Sequence, residues 1–461
     1  MNSKVFNRVP DSVISLVEYF NDKGIDCFPV GGAVRDIQLG RDAFEWDLAV
    51  SCNPEKVMML HPDSFPSGLK HGTVTVFWMG EKFEITSFRK ECGYVDGRRP
   101  GKVEFGVTLK DDLARRDFTI NAMALDLNRH VVIDPFGGRK DLHKRIIRCV
   151  GDPVKRFAED GLRPFRAVRF SSVLEFSIHK STMAAIRGAP PSLHKVSIER
   201  IREEFMKMLT GSMKPSRGME ILRKTNLLQF ILPELIDCLG VTQNRWHKKD
   251  VYLHSLKTMD YLSLKNPLLR FTGLIHDIAK PVCRGGEGPD YTFYGHEKVG
   301  IDMVNDIMKR LRFSKNECHY VCQLVKYHMF FYSPDWKDGA VRRFISKVGF
   351  DLLPDIVELQ RADVLARGTH VKSSLKNLED FKTRIEAINR KSAAMKVSDL
   401  NIDGDDVMKK LKIGPGPIVG TILATFLEKV LDDPELNTKR NLMILLNNYN
   451  NNKAGEKKNN V

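Results

Sequence analysis

The apolar positions of this chain change period partway along it. Val13, Ile14, Leu16, Val17 and Phe20 share one helical face, with Asp11 or Ser12 placed to cap it and Gly24 past its end, which predicts a helix over 10–24. The run Ile25 to Val30 predicts a strand, Gly31-Gly32 a turn, the stretch through Val34 and Ile37 to Gly40 a helix, and Trp46 to Val50 a second strand. Thr73 to Met79 and Lys82 to Phe88 alternate around Gly80-Glu81, as a β-hairpin does. Val131 to Asp134 adds a strand before the turn Pro135-Phe136-Gly137-Gly138. From about Asp152 the strand signals nearly vanish and helical spacing takes over, as in Ile198, Ile201, Phe205, Met208 and Leu209. The expectation is an α+β chain: a mixed-sheet head with helices over 1–150, then an all-α neck over 151–215, body over 216–385 and C-terminal region over 386–446. The neck-to-body break is placed at Gly211 to Pro215. Residues 447–461 are Asn/Lys-rich with almost nothing to bury and are expected to be a disordered tail. No internal repeat is evident.

Composition narrows the class. Of 461 residues, 42% are hydrophobic and 28% charged, which excludes a wholly disordered, collagen-like or membrane-embedded chain. No apolar run reaches the ~18 residues of a membrane span or forms a secretory core near the N-terminus, so a cytoplasmic protein without a membrane partner is expected. The 8 cysteines form no C-x-x-C pair, and Cys318 and Cys322 sit one helical turn apart, so all are read as reduced thiols. Lys plus Arg is 73 against 58 acidic residues, a net charge of +15. That excess suits a polyanionic partner, nucleic acid ahead of an anionic membrane because no basic amphipathic anchor is present; a merely soluble basic protein is the bland alternative.

Chemistry concentrates first in Gly31-Gly32-Ala33-Val34-Arg35-Asp36 and Glu45-Trp46-Asp47. Two glycines between a strand and a helix let the backbone approach a phosphate, and Arg35 one turn on can pair with a triphosphate. Glu45 and Asp47, at i and i+2 of a strand, point to one face, where two carboxylates can hold Mg²⁺. Glu84, in Phe83-Glu84-Ile85 of the hairpin, can supply a third. Singly, a Gly-Gly pair is a turn and alternating acids are a solvated strand face. Together and in order they resemble the head of the class II nucleotidyltransferases, the family of tRNA CCA-adding enzymes and bacterial poly(A) polymerases within the polymerase-β-like superfamily.

The resemblance covers about residues 25 to 210. His71-Gly72-Thr73-Val74-Thr75-Val76 matches the lead-in to the third carboxylate, and Glu84 to Arg89 with Tyr94 to Pro100 looks like the family's flexible loop. Asp112 to Ala124, which contains Arg116, Asp117 and Asn121, is similar to the motif that contacts ribose and phosphate. Arg156 to Phe170 looks like the motif by which the protein itself serves as template, and Ser197 to Glu204 like the last neck motif. On a helix Asp160, Arg163, Arg166 and Arg169 would stack on one face, a carboxylate acceptor beside a guanidinium donor meeting a base edge and further arginines neutralising phosphate. The family usually carries Asp-x-Asp where this chain has Glu45-Trp46-Asp47; the added methylene moves the carboxylate out by about 1–1.5 Å, a shift the strand is expected to absorb.

A second constellation lies in the body: His254, His276-Asp277, His296, His328 and Asp363. Its segments Tyr252 to Leu256, Leu274 to Lys280 and Arg361 to Asp363 resemble the HD superfamily of metal-dependent phosphohydrolases. Imidazoles and carboxylates suit a divalent ion (Mg²⁺, Mn²⁺, Co²⁺ or Ni²⁺), with His254, His276, Asp277 and Asp363 as expected ligands and His296 and His328 for substrate or a second metal.

These resemblances imply a tRNA nucleotidyltransferase with an HD domain in its body, using Mg²⁺, CTP and ATP. Glu45, Asp47 and Glu84 form the catalytic set. Gly32, Arg35, Arg116, Asp117, Asn121, Asp160, Arg163, Arg166 and Arg169 bind the nucleotide. Three other readings stay open: a poly(A) or A-only enzyme, an HD phosphohydrolase whose head only binds RNA, and a non-enzymatic RNA-binding protein. No motif specifies an oligomeric state.

Overall fold

The computed structural model describes residues 3–69, 72–94, 100–243, 249–287, 291–390 and 394–458. His71 and residues 95–99 of the expected flexible loop lie outside them. The chain forms two compact units, Met1–Ile236 with Arg310–Arg312, and Asp237–Lys309 with Phe313–Val461.

The first unit is built on strands β1 (Cys27–Val30), β2 (Asp47–Val50), β3 (Phe65–Gly68), β4 (Thr73–Trp78), β5 (Glu81–Ser87), β6 (Arg89–Tyr94), β7 (Pro100–Phe105), β8 (Ala124–Asp126) and β9 (Val131–Ile133). Seven of them form one sheet in the order β3-β4-β5-β2-β1-β8-β9, and β6 pairs with β7 as a separate ribbon. Within the seven-stranded sheet only β2 and β5 run parallel, with Asp47 opposite Glu84. Val30, Ala49, Phe88, Leu113, Ala122, Ala124 and Val150 form a buried core behind the strands that carry the carboxylates.

The first helix, the two glycine-flanking elements and the hairpin are where the pattern predicts, with shifted ends. Tight pairing of Trp78 with Glu81 moves the hairpin tip to Met79-Gly80, where both residues adopt positive φ, the backbone of a type I′ turn. The short β8 and the edge strand β3, which contains Pro66, give no alternating signal. Beyond Asp152 the elements among the described residues are helices apart from the two-residue pairing of Ser177–Ile178 with Ile146–Ile147 and an isolated antiparallel bridge between Gly285 and Thr292.

Two expected boundaries differ. The break at Gly211 to Pro215 is a helix end inside the first unit: the next helix, Ser216–Lys224, buries Met219 and Leu222, and Gly218 lets it lie against Ser172 and Met208. The division between units falls at Asp237 instead. The expected disordered tail is also corrected, because the last helix runs Lys439–Lys458. Leu442 and Leu446, both fully buried in the second unit's core and one turn apart, anchor its start, and the helix propagates from there.

A polar relay joins head to neck. Arg35 Nη1 donates to Asn121 Oδ1 at 2.8 Å, and Asn121 Nδ2 donates to Asp117 Oδ1 at 3.0 Å. Asp117 Oδ2 accepts from Arg166 Nε at 2.8 Å, and Arg166 Nη1 reaches Glu204 Oε1 at 3.3 Å. Glu204 in turn accepts from Arg169 Nε. The Arg166 and Arg169 guanidiniums both lie over the Phe170 ring. Burial pushes the Asp117 carboxyl up, but Arg166 and the Asn121 hydrogen bond outweigh it and hold the pKa at about 2. A carboxyl depressed on folding stabilises the native state above its unfolded pKa of 3.8, and that contribution is lost as pH falls toward about 2. Asp117→Asn should therefore cost roughly 2 kcal/mol near neutrality and remove that part of the acid dependence. Unfolding followed by near-UV circular dichroism from neutral pH to about 2.5 checks this; equal acid sensitivity in the two proteins refutes it.

Candidate active site

The site in the first unit starts from a backbone constraint. Gly31 has φ +79°, and a Cβ there would stand 2.9 Å from Arg116 Nη1 and 3.5 Å from Asp47 Oδ2. Glycine at this position permits both the left-handed turn and the close approach of the Arg116 and Asp47 side chains to the backbone. The helix Gly32–Gln38 follows at once, with its N-terminal turn at the cleft.

Glu45 is corrected from its expected place: it precedes β2, which begins at Asp47. Trp46 is nonetheless buried and donates its indole N–H to Ala43 O at 3.2 Å. With Trp46 turned in, Glu45 and Asp47 both line the cleft, so the i, i+2 logic survives without ladder bonds at Glu45. Asp47 is raised above the usual carboxylate range, first by desolvation and then by the charges of Glu84 and Glu45, against the lowering effect of Arg116. Glu84 is beside Asp47 through the β2–β5 register but does not line the cleft, and its nearest cation is Lys82 at 3.7 Å.

The cleft has a volume of about 540 Å³. Every expected nucleotide-binding residue lines it: Gly32, Arg35, Arg116, Asp117, Asn121, Asp160, Arg163, Arg166 and Arg169. Their donors are less free than the sequence suggests. Arg35 is held by Asp36 at 2.9 and 2.7 Å as well as by Asn121. Arg163 donates to Glu159 Oε2 at 2.7 Å and to the carbonyls of Arg156 and Arg115 at 3.0 and 2.9 Å. Asp160 is not on the helix with the three arginines. It ends the helix Pro153–Glu159 in extended conformation, and the next helix runs Arg163–Leu174. Gly161 makes the turn between them, packed against the Ser192 carbonyl where a side chain has no room. Asp160 pairs with Arg200 at 2.9 and 3.2 Å, so its orientation comes from the neck helix Ile198–Gly211.

Residues the sequence reading did not select also line the cleft: Gly31, Arg115, Phe170 and Lys207. Lys207 lies one turn beyond Glu204 on the same helix face, a spacing that could have found it. Phe170 ends the arginine motif and carries three guanidiniums, those of Arg35, Arg166 and Arg169, on its ring. Seven cationic side chains against four carboxylates make the lining electropositive, which suits a triphosphate.

The second unit holds the histidines. Helix Pro267–Ile275 ends at His276, so His276 and Asp277 sit at its C-terminal turn and not within it. Two groups of donors form, His254 with His276 and Asp363, and Asp277 with His296 and His328, the atoms of each within 4.8 Å of one another. Asp277 lies between the two groups, with Oδ2 3.2 Å from His276 Nε2 and Oδ1 3.4 Å from His296 Nε2. The Nδ1 atoms of His276, His296 and His328 lie 2.9, 2.7 and 2.6 Å from the carbonyls of Gly273, Phe293 and Val325. A carbonyl only accepts, so each Nδ1 carries a proton and each Nε2 faces the cluster. His296 Nε2 and His328 Nε2 are 3.3 Å apart, two lone pairs that call for a cation or a shared proton between them. Burial lowers His276, but Asp277 and Asp363 prevail and hold it at about 9. Both carboxyls stay well below the usual range despite burial, Asp277 chiefly through His276 and Lys280, Asp363 through its hydrogen bonds to His254 and His276.

The chain matches three family models: the poly A polymerase head domain over 27–148, the probable RNA and SrmB-binding site of polymerase A over 175–239, and a putative tRNA nucleotidyltransferase domain 2 over 298–446. It is 49% identical over 208 residues to the CCA-adding enzyme of Lactobacillus helveticus, an alignment covering 44% of this chain and 52% of that one. With the CCA-adding enzyme of Pediococcus pentosaceus it shares 47% over 216 residues, covering 47% and 54%. These alignments span about half the length of the curated relatives. The crystal structure of the Bacillus stearothermophilus CCA-adding enzyme in complex with CTP superposes with a TM-score of 0.73 at 26% identity, covering 96% of this chain and 98% of that one. The Thermotoga maritima CCA-adding enzyme complexed with tRNA shares the fold at a TM-score of 0.57 and 21% identity, covering 97% and 98%. Head, RNA-binding segment and second domain each match a model of this kind, in chain order, as the resemblance of the head motifs to the class II nucleotidyltransferases leads one to expect.

Proposed function

We propose that the protein is a template-independent tRNA nucleotidyltransferase that adds C, C and A to tRNA 3′ ends from CTP and ATP in the cytoplasm. The observation that carries this reading is the sharing of one cleft by the Glu45–Asp47 carboxylates, Asp160 and the arginines 163, 166 and 169. The family implies a divalent metal, and an all-oxygen donor set of Glu45 and Asp47, with Glu84 alongside, fits Mg²⁺. Such an ion, when bound, lowers the pKa of the attacking hydroxyl and neutralises the leaving pyrophosphate. The rest is done by the chain. Arg35, held by Asn121, Arg116, held by Asp112, and Arg169, held by Glu204, offset the triphosphate charge, and Asp117 and Asn121 meet the ribose. The RNA 3′-oxygen bonds to the α-phosphorus as the α–β bridging oxygen leaves. Asp160, steadied by Arg200, and Arg163 present an acceptor and a donor to the base edge. An A-only or poly(A) enzyme would use the same parts; incubation of transcripts ending at the discriminator base, C and CC with labelled CTP or ATP separates them, ordered C-then-A incorporation being expected.

The histidine cluster supports a second activity, an HD-type phosphohydrolase, because the facing Nε2 atoms of His296 and His328 form a metal-type donor set with Asp277. Mg²⁺, Mn²⁺, Co²⁺ or Ni²⁺ there would polarise a phosphate ester. Water then adds to phosphorus and the ester oxygen leaves with a proton. Removing a 2′,3′-cyclic or terminal phosphate complements the head, which needs a free 3′-hydroxyl.

Asp47→Ala should lower nucleotide addition about a thousandfold or more without weakening tRNA binding, and Glu45→Asp should preserve or raise it. Full addition by Asp47→Ala in the labelled-nucleotide assay sinks the carboxylate assignment. Asp160→Ala or Arg163→Ala should erode selection of CTP and ATP over UTP and GTP by roughly 10- to 100-fold, whereas Arg169→Ala should weaken all four alike. Unchanged selection in competition assays would place base choice elsewhere. Asp277→Ala should abolish metal-stimulated hydrolysis of 2′,3′-cyclic AMP and leave nucleotide addition nearly intact. If wild-type protein binds metal at the cluster yet hydrolyses neither this substrate nor a cyclic-phosphate-ended tRNA, the ion is structural.

A further inference from the structure

The histidine cluster opens into a cavity of about 470 Å³, inside the ~300–1,000 Å³ range of small-molecule sites. Its rim is aromatic and unusually open: Tyr294 is 88% exposed and Phe331 64%. Both rings are tied to the cluster by short stretches of chain. Tyr294 lies two residues before His296, whose ring is held by the Phe293 carbonyl, and Phe331 three residues after His328, held by the Val325 carbonyl. Both residues line the cavity into which the histidine donor group opens. Neither is needed by that group, which is already buried and oriented by backbone carbonyls. Arg367 lines the same cavity, with Nη2 on Asp363 Oδ2 at 2.8 Å and a buried Nε that makes no hydrogen bond among the described residues. A simple phosphate ester would use the cluster and this guanidinium alone, leaving the two aromatic faces in water.

We infer that this cavity takes a nucleotide, its phosphate at the Asp277–His296–His328 group beside Arg367 and its base stacked on Tyr294 and Phe331. The inference rests on the phosphohydrolase reading above and adds the residues that hold the base. Flat aromatic faces recognise any base with little sequence preference, which suits RNA ends of varied identity. Stacking acts on the bound substrate, so it should appear mainly in KM.

The test compares metal-loaded wild-type protein with the Tyr294→Ala/Phe331→Ala double variant and with Tyr294→Phe, each checked for an unchanged thermal transition. Hydrolysis of 2′,3′-cyclic AMP, 2′,3′-cyclic CMP and glycerol 2-phosphate is measured, with calorimetric titration of 3′-AMP and inorganic phosphate alongside. The wild-type KM for the cyclic nucleotides should lie at least about tenfold below that for glycerol 2-phosphate. The double variant should close that gap, and Tyr294→Phe, which keeps the ring, should hold it. If the double variant hydrolyses all three with the wild-type preference, the platform is overturned while the phosphohydrolase reading stands. If wild-type protein hydrolyses none, that reading fails and calorimetry decides the platform. Affinity for 3′-AMP that exceeds that for phosphate and falls about tenfold in the double variant supports it; equal loss or no preference overturns it.

Discussion

The hydrogen-bond network behind the first unit's cleft depends on the charge pair between the buried Asp117 and the half-buried Arg166. The carboxylate would not be tolerated alone at that depth, because an unpaired buried charge costs several kcal/mol. Paired, they extend in both directions, through Asn121 to Arg35 at the glycine turn and through Glu204 to Arg169 in the neck. The relay spans two domains in the sequence reading and one compact unit in the structure. Its consequence is geometric. Arg35 at the glycine turn and Arg169 in the neck are the two ends of one hydrogen-bonded lattice, so the distance between them is not left to a flexible linker.

How much of this was legible depended on range. The glycine turn, the carboxylates and the arginine motif announce themselves locally, and all nine expected nucleotide-binding positions converge on one cleft. Partnership did not announce itself. Asp160 reads as a helical neighbour of Arg163, yet the Gly161 turn takes it off that helix and Arg200, forty residues on, holds it. The same limit applies to Glu204, whose role as a bridge between two arginines depends on helix packing. At the C-terminus composition misled outright: two buried leucines outweigh an Asn/Lys-rich run when they sit at the start of a helix. Short strands such as β8 carry no periodicity because three residues cannot show one.

The histidine cluster reverses the relation between motif and geometry. Order along the chain identified the residues, but grouped them as four ligands and two accessories. Distance draws them into two sets of three, and Asp277 bridges the sets, one carboxylate oxygen 3.2 Å from His276 Nε2 and the other 3.4 Å from His296 Nε2. The carbonyls of Gly273, Phe293 and Val325 fix which ring nitrogen bears hydrogen and so turn each Nε2 inward, an effect no side-chain motif records.

The parallel pairing of β2 with β5 has a consequence for which changes the head can absorb. Asp47 and Glu84 are neighbours only because the ladder sets 47 against 84, with side chains alternating face by face on both strands. Adding or deleting a residue before β4 changes a connection and leaves that alignment alone. A single-residue insertion within β5 ahead of Glu84 would send its carboxylate to the opposite face of the sheet and bring an apolar neighbour to stand beside Asp47. Length variation in this head therefore keeps the Asp47–Glu84 juxtaposition on one side of the hairpin and breaks it on the other, although no atom of either carboxylate is altered in either case.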